Sequence, residues 1–247
     1  MGLWVGSPAQ GLSKVAVGAL QKPIAVSFRQ WDYAGRILPV MAQSGVLTSA
    51  SYGGSYYLSV PFTVSTAVAA AGASLFSFKW LNELMSCIVW RARFHYVGSI
   101  IATAAQQIDM GIYVARGWTT NDSGGTAISI TGNNQKKRQG MANSAFTLGT
   151  TLGGDIRYRT TAALTAGTRT LDSQAIAFKS TYAPIANPSL MVCSDTSSAL
   201  FDAENEGPLV FAANEGLCFN NVTAYANIHT IMYVAEVLWS EVPLGMI

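Results

Sequence analysis

The run Cys87-Ile-Val-Trp-Arg-Ala-Arg-Phe-His-Tyr-Val97 alternates with a period of two: Cys87, Val89, Arg91, Arg93, His95 and Val97 on one side, Ile88, Trp90, Ala92, Phe94 and Tyr96 on the other. A strand places every second side chain on one face, so the second set, with its large side chains, is expected to face a core. The last run, His229-Thr-Ile-Met-Tyr-Val-Ala-Glu-Val-Leu-Trp-Ser-Glu241, repeats the pattern through Ile231, Tyr233, Ala235, Val237 and Trp239.

Other segments have strand composition without such clean alternation. Ile24 to Phe28 is short and β-branched, and Asp109 to Arg116 reads as a strand. Tyr56 to Val64 does too, although Pro61 lacks a ladder donor and confines that strand to an edge or a bulge. Asn121-Asp-Ser-Gly-Gly125 predicts a turn ahead of the strand Thr126 to Ile130. Pro208 to Ala213 and Gly216 to Asn220, joined by Asn214-Glu215, read as a hairpin. Leu81 to Met85 and Ser99 to Gln107 are the expected helical turns. Many strands separated by turn signals, without a βαβ rhythm, predict an all-β fold: a jelly-roll-like antiparallel β-sandwich with few short helices. Residues 1–22 are expected to form an extended N-terminal arm, and 23–247 the sandwich domain, with inserted loops over 121–172.

Half of the 247 residues are hydrophobic and only 11% are charged, against roughly 25% in an average soluble domain. So thinly charged a surface suits a protein whose faces are covered by partners, and a homo-oligomer is expected. A net charge of +2 is too small for the clustered basic face of a nucleic-acid protein, so nucleic acid is not expected as the main partner. Residues 37–78 lack Asp, Glu, Lys and Arg, but Gly53, Gly54, Pro61, Gly72 and many Ser and Thr interrupt them, so no membrane partner is expected. The start, Met1-Gly-Leu-Trp-Val-Gly-Ser-Pro, lacks the basic and apolar regions of a secretory leader.

Signals for chemistry are sparse. His95 and His229 lie in no metal-ligand or catalytic spacing, and no nucleophile elbow or phosphate-binding loop occurs. Cys87, Cys193 and Cys218 are far apart and read as small buried hydrophobes. Asp202, Glu204, Glu206 and Glu215 form the one carboxylate cluster, a set suited to a loop-bound cation, a solvated turn or an ion pair. Trp80, Trp90, Phe94 and Tyr96 suit either a sugar-stacking platform or, at period two, a core. No catalytic residue, metal site or cofactor is expected, and the chain is expected not to be an enzyme. Trp4 and Val5 of the arm, and the basic loop residues Lys136, Lys137 and Arg138, are the expected partner contacts; Trp4→Ala is expected to reduce incorporation into a particle.

Between Ile112 and Asp172 three stretches stand out: Ala115-Arg-Gly-Trp-Thr-Thr-Asn-Asp-Ser-Gly-Gly-Thr-Ala, Gly132-Asn-Asn-Gln-Lys-Lys-Arg-Gln-Gly-Met and Asp155-Ile-Arg-Tyr-Arg-Thr-Thr-Ala-Ala-Leu-Thr-Ala-Gly-Thr-Arg-Thr-Leu-Asp172. They resemble structural proteins of the tailed-bacteriophage virion. The end, Pro208-Leu-Val-Phe, Asn214-Glu-Gly-Leu-Cys-Phe and Trp239-Ser-Glu-Val242, is similar to the final strands of jelly-roll phage proteins. The resemblance covers roughly half the chain and carries no catalytic signature. It implies a capsid cement (decoration) protein, a minor capsid protein or a tail component, assembled in the host bacterial cytoplasm. It packs against copies of itself, a trimer among the symmetries open to it, and against virion proteins such as the major capsid protein. A receptor-binding, lectin-like tail protein that recognises host glycans, and a virion-associated glycan hydrolase, are the alternative readings.

Overall fold

A computed structural model of the protein describes residues 2–7, 11–16, 30–31, 37–38, 54–64, 70–102, 106–130, 135–137, 143–146, 154–159, 164–183, 198–224 and 228–243. The chain divides into two compact units, Met1–Leu47 and Thr48–Ile247. In the first, β1 (Gly2–Ser7) and β2 (Gly11–Ala16) pair antiparallel, and so do the short β3 (Gln30–Trp31) and β4 (Ile37–Leu38). The residues expected as an arm thus include a two-stranded ribbon. The strand expected over Ile24 to Phe28 lies outside the described residues.

The second unit is almost entirely strand: β5 (Gly54–Val64), β6 (Ser74–Trp80), β7 (Met85–Ala102), β8 (Gln106–Arg116), β9 (Thr126–Ala127), β10 (Gly154–Tyr158), β11 (Thr170–Leu171), β12 (Ala177–Ala183), β13 (Ser198–Asp202), β14 (Leu209–Phe211), β15 (Glu215–Asn221) and β16 (Ile228–Pro243), with one described helix, α1 (Ala203–Glu206). One sheet runs β5-β16-β7-β13, with β14 also on β7; the other runs β11-β8-β15-β6-β10-β9, with β12 also on β8. Number the main strands β5, β6, β7, β8, β12, β13, β15 and β16 from first to eighth. One sheet then reads first-eighth-third-sixth and the other second-seventh-fourth-fifth. That double Greek key is the jelly roll, and every pairing is antiparallel.

The core between the sheets is aromatic. Trp239 of β16 stacks on Tyr56 of β5 with ring centroids 5.5 Å apart and meets Phe78 of β6 edge-on at 5.3 Å. Further along, Phe94 of β7 meets Phe219 of β15 at 5.4 Å. Ile231, Tyr233, Ala235, Val237 and Trp239 are all buried, as their alternation predicts. Pro61 is exposed in β5, an edge strand that, among the described strands of its sheet, pairs with β16.

Four sequence expectations need correction. The strict alternation of 87–97 breaks at Trp90, because Leu238 pairs with Arg91 while Trp239 pairs with Val89, leaving Trp90 as a bulge residue. Cys87 and Val89 therefore join Ala92, Phe94 and Tyr96 in the core. Pro208–Ala213 and Gly216–Asn220 do not form a hairpin: β14 joins β7, whereas β15 inserts between β6 and β8 of the other sheet. The turn between them is set by Asn214, whose φ of 67° an asparagine tolerates, and whose N–H bonds to Trp80 C=O at 2.8 Å. Ser99–Gln107 is not helical where described, since β7 continues to Ala102 and β8 starts at Gln106; pairing with β16 overrides the helix preference of Ala102. Leu81 to Leu84 is likewise an irregular connection.

Candidate functional site

Strand β8 ends at Arg116 and β12 begins at Ala177. Of the described parts of the segment between them, Trp118, Asn121 and Leu171 cover the outer face of the sheet holding β6, β15 and β8, while β9 and β10 extend that sheet and Ile130 and Phe146 enter the core. Ser77, Lys79, Ala115 and Cys218 of that face are buried. Trp118 and Leu171 pack on Ala115 and Cys218, and Lys79 Nζ donates to Asn121 Oδ1 at 2.9 Å. The expected turn at Asn121–Gly125 is present. Gly125 has φ +61°, and a Cβ there would come within 2.3 Å of Tyr158 O, so only glycine fits.

Charge is sealed beneath this cover. Arg169 pairs with the buried Asp122, which also accepts from Gly167 N–H at 2.8 Å. The guanidinium lies 4.5 Å from the Trp118 ring centroid, a desolvated cation–π contact. Burial lowers the Lys79 pKa, with Asp155 and Asp122 opposing it, and burial pushes the Cys218 thiol up to about 12. Cys87 is buried as well and its pKa is raised by burial and by Glu241, so neither thiol is an activated nucleophile. Cys193 lies outside the described residues.

The outer face of the other sheet carries a polar stripe. Arg93 Nε bonds to Glu236 Oε2 at 2.8 Å, and His95 Nδ1 is hydrogen-bonded to Ser198 Oγ. Burial of Glu236 opposes its charge, and the hydrogen bond and charge of Arg93, with the Tyr57 hydrogen bond and the charge of Arg91, together hold the carboxyl below its usual range. The carboxylates singled out in sequence have separate tasks. Asp202 Oδ1 caps α1 by accepting from Glu204 N–H at 3.0 Å, while Glu215 accepts from Arg116 at 3.1 Å. Among the described residues, no group of three or more His, Cys, Asp or Glu side chains is placed to hold a metal ion. Trp80, Phe94 and Tyr96 are buried in the core, so they offer no sugar-stacking platform; Trp90 is half-buried and donates to Ser240 Oγ at 2.9 Å.

One margin of the sandwich is apolar where water reaches it. Edge strands β12 and β13 lie against each other there, beside β14. Phe178 is 56% exposed and Tyr182 63%, with Leu200 of β13 at 48% and Val210 of β14 at 46%. On each strand the alternate residues enter the core: Ala177, Ala199, Phe201 and Phe211 are buried. The exposed four therefore stand on outer faces, where period two ordinarily places polar residues.

Of the residues expected to touch partners, Lys136 bridges Tyr56, and the Lys137 N–H donates to Ser55 C=O at 3.0 Å, so 135–137 add to the edge of β5. Lys137 is exposed and Lys136 half-buried; Arg138 lies outside the described residues. Trp4 and Val5 are in β1, opposite Lys14 and Ser13. The exposed margin was missed in sequence, although Phe178-Lys-Ser-Thr-Tyr182 carries a faint alternation that signals it. No protein-family model matches the chain, and none of the curated proteins matches it. No helix among the described residues is long and apolar enough to cross a membrane.

Proposed function

We propose that this protein is a non-enzymatic structural subunit of a particle, acting by packing against copies of itself and against neighbouring shell proteins. The observation that carries this reading is the margin at which Phe178, Tyr182, Leu200 and Val210 stand exposed on adjoining edge strands. Scattered apolar residues on a surface need no explanation, but two large rings on one edge strand, Phe178 and Tyr182 of β12, mark an association surface, and Leu200 and Val210 add exposed apolar area on the outer face of the other sheet. The low charge density supports the same reading, as does an aromatic core beneath an outer face that carries the buried Arg169–Asp122 pair. Jelly rolls serve in capsids and also in lectins and cupins, so the fold itself does not choose among them. Together with the sequence resemblance, the margin favours a tailed-phage virion component of cement or minor capsid type, assembled in the host bacterial cytoplasm.

Sedimentation of the purified chain across a range of concentrations tests the reading. The expected outcome is a mass that rises from the 26.2 kDa monomer to discrete multiples, and labelling of intact particles by an antibody against the chain. A freely soluble monomer at every concentration, absent from particles, rejects it.

A further inference from the structure

The backbone of β12 has a free side whose bonding direction follows from its neighbours. On the β15 side of β8, Val222 N–H donates to Asp109 C=O at 2.8 Å. On the opposite side, Ile176 N–H donates to Ile112 C=O at 2.8 Å and Asp172 N–H to Val114 C=O at 2.9 Å. Odd-numbered residues of β8 thus bond towards β15, and even-numbered ones towards β11 and β12. With Ala177 opposite Ile112, Lys179 opposite Met110 and Thr181 opposite Ile108, those three residues of β12 face β8. Phe178, Ser180 and Tyr182 turn their N–H and C=O groups outward, where among the described residues no strand pairs with them. Their side chains share the outer face of the sheet, since they stand opposite Gly111, Asp109 and Gln107.

We propose that this edge is a homodimer interface: β12 pairs antiparallel with β12 of a second copy about a two-fold axis at Ser180, joining the two sheets into one. The inference rests on the proposed self-association and names its surface. The strand is self-complementary only in that register. Phe178 then faces Tyr182 of the second copy, Ser180 faces its own counterpart, and Tyr182 faces Phe178, so every outward-turned residue meets another outward-turned residue. Two cross-strand aromatic pairs form on the exposed face. A slip of one residue opposes outward with inward backbone groups, and a slip of two leaves an aromatic opposite serine. Lys179, the one charged residue of β12, falls opposite Thr181 of the second copy, so no like charges meet. A twofold contact of this kind closes on itself and stops at two.

Charge exchange across the axis tests it. Phe178→Lys and Tyr182→Glu each place a charge against an aromatic ring and are expected to weaken dimerisation at least tenfold, with unchanged thermal unfolding at concentrations where the chain is monomeric, because both side chains are then exposed. An equimolar mixture of the two single variants, or the double variant alone, is expected to recover dimer, because each introduced lysine meets an introduced glutamate. A Ser180→Cys variant is expected to form a disulfide-linked dimer on oxidation, since directly paired bonded residues sit about 5.5 Å apart at Cα. If the wild-type chain self-associates but the single variants associate as well as it does, or the mixture and the double variant fail to recover, the β12 interface is overturned while the structural-subunit reading stands. If the wild-type chain is monomeric at every concentration, that reading falls with it.

Discussion

The Ser144 hydroxyl donates to Glu241 Oε1 at 2.5 Å across 97 residues of sequence, and the Ala145 N–H donates to the other carboxylate oxygen at 2.7 Å. With Trp239 Nε1 at 3.0 Å, three donors converge on one buried carboxylate at the end of β16. The adjacent Phe146 packs against Phe78, Trp80 and Trp239, so Glu241 fixes the segment that delivers this ring to the core.

Glu241 is expected to make stability depend on pH in an unusual direction. Burial raises its pKa above 4.5, and the hydrogen bonds from Ser144, Ala145 and Trp239 only partly offset that. A carboxyl raised in the folded state favours folding most below the unfolded value, and that benefit is lost as pH rises through the folded value. Urea unfolding between pH 4 and 8 is expected to show this decline, and Glu241→Gln to remove it. The amide that replaces the carboxyl presents an NH2 group to one of the donors, so the variant is also expected to lose about 1–3 kcal/mol at acid pH, where the wild-type side chain is neutral.

Asp109 gives the opposite sign. It is buried, which opposes its charge, yet hydrogen bonds from Ser180, Gln107 and Thr223 together hold its pKa below 3.8. Its contribution is therefore present above the ordinary carboxyl range and lost as pH falls through the depressed value. Asp109→Asn is expected to destabilise by about 1–2 kcal/mol at neutral pH. The gap from wild type is expected to narrow towards pH 2. A gap that stays constant with pH would mean that the carboxylate is not the bonding form.

The sequence displays these tasks unevenly. The long alternating strands β7 and β16 are legible because each buries one face against the other sheet, and period two records that burial directly. The bulge at Trp90 is not legible, since an extra residue in a strand changes the phase without changing the composition. The separation of β14 from β15 is equally hidden: a short turn at Asn214 serves a hairpin or a passage between sheets, and only the partners β7 and β6 decide which. Among candidate site residues, basic Lys136 and Lys137 attract notice by charge, but their backbone holds the edge of β5. The exposed Phe178 and Tyr182 escape notice because Lys179, Ser180 and Thr181 dilute the apolar signal of their strand.

The Arg169–Asp122 pair is expected to matter more to folding than its one contact suggests. Both side chains are withdrawn from water. Removing one partner leaves the other charge uncompensated in a low dielectric, at a cost of about 3–5 kcal/mol. Asp122→Ala is expected to lower the free energy of chemical unfolding by that amount. The double replacement Asp122→Leu with Arg169→Met is expected to cost less than the single one, because no isolated charge remains. Equal costs for the two would show that Asp122 acts through its Gly167 N–H bond alone.

Leu200 and Val210 separate association from folding. Each stands on the outer face of an edge strand of the five-stranded sheet, opposite Arg93 and Ile88, while Ala199, Phe201 and Phe211 hold those strands to the core. Changing both to Asp removes exposed apolar surface and leaves the buried side chains in place, so the unfolding free energy is expected to shift by less than about 1 kcal/mol. The new carboxylates do not touch the bonding edge of β12. A particle subunit that uses the whole margin is therefore expected to keep its β12-linked dimer in this variant and to lose the larger species in sedimentation. Retention of those larger species would place the second contact on another face of the sandwich.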